Sequence, residues 1–183
     1  MDFSCSRSSS LMVSLLLVLL LNGSSSQPSD LVRTICLRTI SNDLCLQTFK
    51  SDPRSATADV KGLARIAIDA VEASANQTLN TLGSLFNSTP AASLLKDVYQ
   101  TCVRNYETAI SKLETAKNLL SSPNYKSASA VATDATTNVL SCDTTFILPP
   151  EPDGSAILSF LDLTEKSEYL ARIIEIILVD FLV

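Results

Sequence analysis

The chain contains no histidine and no tryptophan, and only four of its 183 residues are glycine. Without imidazole there can be no Ser–His–Asp triad, no Cys–His pair and no paired-His zinc helix. Basic charge is also scarce: 14 Lys and Arg stand against 19 Asp and Glu, for a net charge of −5. No basic block is present to neutralise phosphates, so no nucleic-acid partner is expected. Few glycines, little β-branched alternation and abundant Ala, Leu, Ser and Thr make helix the natural element. No metal and no cofactor are expected, because the cysteines have a better use.

One long apolar run is present, from Leu11 to Leu21, with Arg7 before it and Gly23-Ser24-Ser25-Ser26 after it. Charged, apolar and small-residue segments in that order describe a secretory signal peptide, residues 1–26. The run is too short for a membrane span, which needs about 20 apolar residues. Cleavage removes Cys5 and cancels Asp2 against Arg7, so residues 27–183 keep the same net charge. They are expected to be exported, with no membrane partner.

Four cysteines remain, and in an exported chain they read as two disulfides rather than as zinc ligands or free thiols. Cys36 and Cys45 sit in an opening unit, residues 27–56. There Ser29–Asp30 caps a short helix to about Thr39, Ser41-Asn42-Asp43 interrupts it, and a second helix runs to about Lys50. A bond between these two cysteines requires the chain to double back, because nine residues of unbroken helix span about 13.5 Å.

Four longer helices follow in residues 57–183. The first opens at Thr57 or Asp59 and runs to about Phe86, with an apolar stripe of Val60, Leu63, Ala64, Ala67, Val71, Ala75, Leu79 and Leu82. A polar stripe of Asp69, Glu72, Asn76 and Asn80 lies opposite. The second runs from about Ala92 to Leu120, until Ser121-Ser122-Pro123 stops it. The third covers Tyr125 to Phe146. After a loop at Pro149, Pro150, Pro152 and Gly154, with a short turn around Ile157–Leu161, the last runs from about Thr164 to Leu182. Cys102 and Cys142 lie equally far from the turn near Ser122, on the apolar stripes of their helices. Two antiparallel helices therefore bring them to one height, about 30 Å from the turn. Cys36–Cys45 with Cys102–Cys142 is the preferred connectivity. The expected architecture is all-α: an up-down-up-down four-helix bundle preceded by an N-terminal helical hairpin and held by two disulfides.

Few residues could carry chemistry. Asp69 with Glu72 is the nearest carboxylate pair for glycoside hydrolysis, but it falls on a predicted solvated face with no aromatic sugar platform. Asn76-Gln77-Thr78 and Asn87-Ser88-Thr89 are N-glycosylation sequons, the first on a polar helix face and the second in a predicted loop before Pro90. The turn Pro123-Asn124-Tyr125 places an aromatic ring on a rigid bend. Packing of Tyr125 against the helix ends ranks ahead of an interface anchor there.

The spacing of the four cysteines, the segment Cys102-Val103-Arg104-Asn105-Tyr106 and the stretch Asn138-Val139-Leu140-Ser141-Cys142 resemble the plant invertase inhibitor and pectin methylesterase inhibitor family. The resemblance covers nearly all of residues 27–183. It implies the same hairpin-plus-bundle fold and disulfides, no enzyme activity, and an extracellular (cell-wall) or vacuolar protein that binds one enzyme molecule. Ser51-Asp52-Pro53-Arg54-Ser55 and the segment Ala58 to Ala64 look more like the invertase-inhibitor branch. There, a Pro-Lys-Phe motif between two helices enters the substrate cleft; the matching positions are Pro123, Asn124 and Tyr125. Asn124 stands where that motif has Lys, and it cannot make the charge-assisted contact that Lys makes with a cleft carboxylate. The first expectation is an inhibitor of acid invertase. The alternatives are an inhibitor of pectin methylesterase through a flank of the bundle, and a non-inhibitory extracellular binding or structural protein. The alanine-rich core argues for close packing rather than the cavity that a carrier of apolar ligands, one form of that last alternative, would need.

Overall fold

The computed structural model of the chain describes residues 29–146 and 154–183. The leader, Cys5 and the prolines of the 149–152 loop lie outside these residues. Ser29 opens helix α1 (Asp30–Cys36) by accepting the Val32 N–H at 3.2 Å on its hydroxyl. A turn carries the chain back into α2 (Asn42–Ser51), and the Cys36–Cys45 bridge, with Cα atoms 5.4 Å apart, closes the hairpin. Helix α1 is one turn shorter than its sequence pattern predicts, because the bridge needs the reversal to begin immediately after Cys36.

A 3₁₀ turn, Pro53–Ala56, leads to α3 (Val60–Ser88), where the Asp59 carboxylate accepts the Gly62 N–H at 2.7 Å. Helices α4 (Leu94–Leu119), α5 (Tyr125–Phe146) and α6 (Gly154–Ile177) complete the bundle, and a π-helical turn, Leu178–Leu182, follows α6. Each long helix packs on the next, and α6 closes back on α3; the hairpin rests on α3 and α6. This is the up-down-up-down order. Cys102 and Cys142 are joined, with Cα atoms 4.9 Å apart, and both are fully buried. Among the described residues no helix is long and apolar enough to cross a membrane.

The predicted stripes form the core. Leu63, Ala64, Ala67, Val71, Ala75 and Leu82 of α3 meet Tyr106, Ala109, Leu113 and Ala116 of α4, with Ala128, Ala135 and Val139 of α5 and Ile173, Ile174 and Ile177 of α6. Small residues on α5, Ala128, Ala132 and Ala135, are buried and allow close approach of the backbones.

Two further boundaries differ from the sequence pattern. Helix α6 begins at Gly154, absorbing the separate turn expected at Ile157–Leu161 and the predicted start at Thr164. Phe160, Thr164, Ser167, Leu170 and Ile174 are all buried along one face, so two hydroxyls interrupt an otherwise apolar stripe and conceal its length. The Ser167 hydroxyl donates to the Leu163 carbonyl at 2.9 Å and lies 2.9 Å from the Ser74 hydroxyl of α3, which satisfies both groups in the core. Helix α3 runs through Ser88, so Asn87 occupies its last turn and not a loop.

Candidate functional site

The end of the bundle that carries the hairpin also carries the α4–α5 turn. Backbone bonds from Ser121 N–H to the Asn118 carbonyl (3.0 Å) and from Ser122 N–H to the Leu119 carbonyl (3.2 Å) tighten the end of α4. Pro123 and Asn124 are exposed. The Asn124 carbonyl accepts the Ala128 N–H at 3.1 Å, the first bond of α5. Tyr125 is half-buried and packs against the core. The turn therefore projects Pro123 and Asn124, while the ring of Tyr125 anchors the bend to the bundle. Arg65 of α3 donates to the Ser121 hydroxyl at 2.7 Å and ties the turn to a neighbouring helix.

Next to the turn is a charge network that no local sequence pattern announces. Arg54 of the 3₁₀ turn bonds Asp52 (2.6 Å) and Asp69 of α3 (2.8 Å). Lys117 of α4 bonds Asp69 (2.8 Å) and Glu72. Alternating signs run Asp52, Arg54, Asp69, Lys117, Glu72, and so link the hairpin's exit, α3 and α4. The hydrogen bonds from Arg54 hold the Asp52 carboxyl below the usual carboxylate range. Burial favours neutral Asp69, but hydrogen bonds from Lys117 and Arg54 outweigh it and hold that carboxyl low as well. Lys117 is pushed up: its own burial acts the other way and is overcome by bonds to Asp69 and Glu72. Asp69 and Glu72 are thus not the free solvated pair expected from the sequence; both are half-buried and neutralised by cations. An ionised, cation-bound Asp69 is the opposite of the raised-pKa carboxyl that a glycosidase needs as its acid.

A surface groove of about 490 Å³ lies between the end of α2, the 3₁₀ turn and α3, and Thr48, Asp52, Arg54, Ile66 and Asp69 line it. The cation among the described residues that line it, Arg54, is already bonded to two carboxylates. Among the described residues no group of three or more His, Cys, Asp or Glu could hold a metal ion. Of the remaining sequence candidates, Asn76 and Asn87 are both exposed, on α3.

These features define a cystine-clamped four-helix bundle with an N-terminal helical hairpin, a scaffold that presents rigid turns and helix faces. The chain belongs to the plant invertase/pectin methylesterase inhibitor family, whose model matches residues 30–178. It is similar to a pectinesterase inhibitor of Actinidia deliciosa, 43% identical over 149 residues, covering 78% of this chain and 80% of that one. It is also similar to a cell wall/vacuolar inhibitor of fructosidase of Arabidopsis thaliana, 35% identical over 81 residues, covering 44% of this chain and 38% of that one. Among solved structures, a mutant form of a pectin methylesterase inhibitor from Arabidopsis superposes with a TM-score of 0.71 at 26% identity, covering 85% of this chain and 99% of that one. The family and fold expected from the cysteine spacing are those found. The pectinesterase inhibitor is matched over more of this chain than the fructosidase inhibitor, whereas Ser51–Ser55 and Ala58–Ala64 look more like the invertase-inhibitor branch.

Proposed function

We propose that this protein is an exported inhibitor of pectin methylesterase in the plant cell wall. The observation that carries the reading is the 43% identity over 149 residues to a pectinesterase inhibitor, against 35% over 81 residues to a fructosidase inhibitor. Asn124 at the exposed turn supports it, because the position lacks the cation that a carboxylate-lined sucrose cleft would engage.

For a pectin methylesterase, whose polyuronate substrate fills an extended groove, the proposed contact is a bundle flank and not the Pro123–Tyr125 turn. The outer face of α5 suits this role. Lys126, Ala130, Thr133, Thr137 and Ser141 are exposed along one stripe. The Thr137 and Ser141 hydroxyls each fold back onto the carbonyl four residues earlier, at 3.0 and 2.7 Å. Short side chains already held in place lose little freedom on docking, whereas each long flexible one costs about 0.5–1.5 kcal/mol to immobilise. The Cys102–Cys142 bridge holds this face rigid against α4.

Titration against pectin methylesterase and acid invertase tests the assignment. Pectin methylesterase activity should fall to near zero at one molar equivalent, while invertase stays active under micromolar excess; the reverse pattern would restore the invertase reading. Two variants locate the contact. Thr137→Arg is expected to weaken pectin methylesterase inhibition at least tenfold without changing Tm, and Asn124→Lys should leave it within twofold. If Asn124→Lys alone abolishes inhibition, the turn and not the flank is the contact.

A further inference from the structure

Helix α3 carries no charged residue from Ala73 to Ser88, yet much of this stretch faces solvent. A surface helix normally places charges on its outer face. Here that face consists of Ala73, Asn76, Gln77, Asn80, Ser84 and Asn87, all exposed. Gly83 lies among them, and among the described residues nothing beyond its own stretch of helix comes within 4 Å of where its Cβ would be. Asn76 and Asn87 are eleven positions apart, which on an α-helix is about three turns, an axial separation of about 16 Å and an angular offset of only about 20°. Two sequons therefore share one neutral, uncovered strip, with the side-chain-free Gly83 between them.

We propose that this strip is a glycan-bearing face: an N-linked oligosaccharide on Asn76, Asn87 or both covers the outer surface of α3, and the target enzyme docks elsewhere. The proposal rests on residues 27–183 passing through the secretory pathway. The α5 face offered above for docking stands diagonally across the bundle, since α3 has α4 and α6 as its flanking neighbours. In the transfer, the side-chain nitrogen of Asn displaces a lipid diphosphate from C1 of the first N-acetylglucosamine of a lipid-linked oligosaccharide. The N–C1 bond forms, the C1–O bond to phosphate breaks, one amide proton is released, and the lipid diphosphate leaves. One N–H remains on Asn76, and it can keep the 2.8 Å bond that this nitrogen now makes to the Glu72 carbonyl. Thr78, the hydroxyl residue of the Asn76 sequon, is fully buried and donates to the Ser74 carbonyl at 3.0 Å. A transferase must reach that hydroxyl, so Asn76 is modified before α3 packs against α6.

The test is to express the full chain behind a secretory leader of the host in plant suspension cells, so that the outcome does not depend on the chain's own leader. Intact mass and peptide mapping are then recorded with and without peptide-N-glycosidase. Oligosaccharide on Asn76 or Asn87, lost in the Asn76→Gln/Asn87→Gln double variant, is expected. The glycosylated protein should match its enzymatically deglycosylated form within twofold in pectin methylesterase inhibition. Secreted protein without sugar at either position overturns the proposal. So does sugar at either position that lowers inhibition tenfold or more, because α3 would then be part of the docking surface. If neither form inhibits, the target assignment fails, and occupancy of the two asparagines still decides whether the strip bears glycan.

Discussion

Replacing both Cys102 and Cys142 by alanine is expected to lower the unfolding free energy by about 4 kcal/mol. The two residues are 40 positions apart, and their bridge joins α4 to α5 at the end opposite their connecting turn. Without it the unfolded chain gains the freedom of a long loop, a term that grows with the logarithm of loop length. Both sulfurs are fully buried beside the small residues of α5, so their loss also leaves core contacts unfilled. The same change at Cys36 and Cys45, only nine positions apart, is expected to cost about 2.5 to 3 kcal/mol. Urea denaturation of the two double variants beside the parent measures both. A larger loss at the short bridge would mean that the hairpin, and not the α4–α5 clamp, organises the fold. Against a typical total of about 5–15 kcal/mol, either loss is severe.

The features visible in the sequence were those that repeat locally or follow from rigid helical geometry. Helix α5 begins at Tyr125 because Pro123 stops one helix and the next stripe starts at Ala128, and it ends at Phe146 as its periodicity predicts. The pairing of Cys102 with Cys142 follows from equal distances to one turn. The continuity of α6 from Gly154 through the turn expected at Ile157–Leu161 was hidden because Thr164 and Ser167 occupy core positions, and a hydroxyl at a stripe position looks like solvent-facing surface until Ser74 is seen opposite it. The charge network was hidden for a different reason. Asp69 and Glu72 lie three apart on one helix, which marks a shared face, but Lys117 comes from another helix and Arg54 from the turn before it. No periodicity encodes a meeting between residues so far apart in the chain.

The docking of the hairpin shows the same limit. Arg38 bonds Asp180 at 2.9 Å and lies over the Phe181 ring at 4.8 Å, which joins the two ends of the described chain. Such exposed pairs contribute at most about 1 kcal/mol. They orient the hairpin on α6, and the buried side chains of Val32, Ile35 and Phe49 hold it there. Target choice is written differently again. A fold shared by two inhibitor branches carries no information about the target, so the decision falls to exposed positions such as Asn124 and Thr137, which the fold leaves free to vary.

Removing the central cation of the charge network, Lys117→Met, is expected to cost about 2 kcal/mol at pH 7. Losing one partner of a fully buried ion pair costs about 3–5 kcal/mol, and the lower figure reflects side chains that keep partial contact with water. The Lys117 side chain is 27% exposed and that of Glu72 17%. One Glu72 oxygen is buried without a hydrogen-bond partner, so its carboxylate depends on Lys117 for compensation. The pH dependence follows from the directions of the shifts. Asp52 and Asp69 are held below their usual 3.8, so their contribution is present above that pH and is lost as the pH falls through their lowered values. Lys117 is raised above 10.5, so its contribution is complete below that pH and disappears only on stronger alkali. Between about pH 4 and 10 Asp52, Asp69 and Lys117 therefore all keep their charges, and the penalty of the variant should be greatest there. At pH 3, closer to the lowered values of Asp52 and Asp69, the parent begins to lose ionised Asp69 as a partner for Lys117, so the difference should shrink to below about 1 kcal/mol. Adding Glu72→Gln to Lys117→Met should recover more than half of the loss at pH 7, because the uncompensated charge is then gone. Urea titrations of the single and double variants at pH 7 and pH 3 test this. A penalty that is equal at both pH values would show that Lys117 acts through its alkyl packing and not its charge.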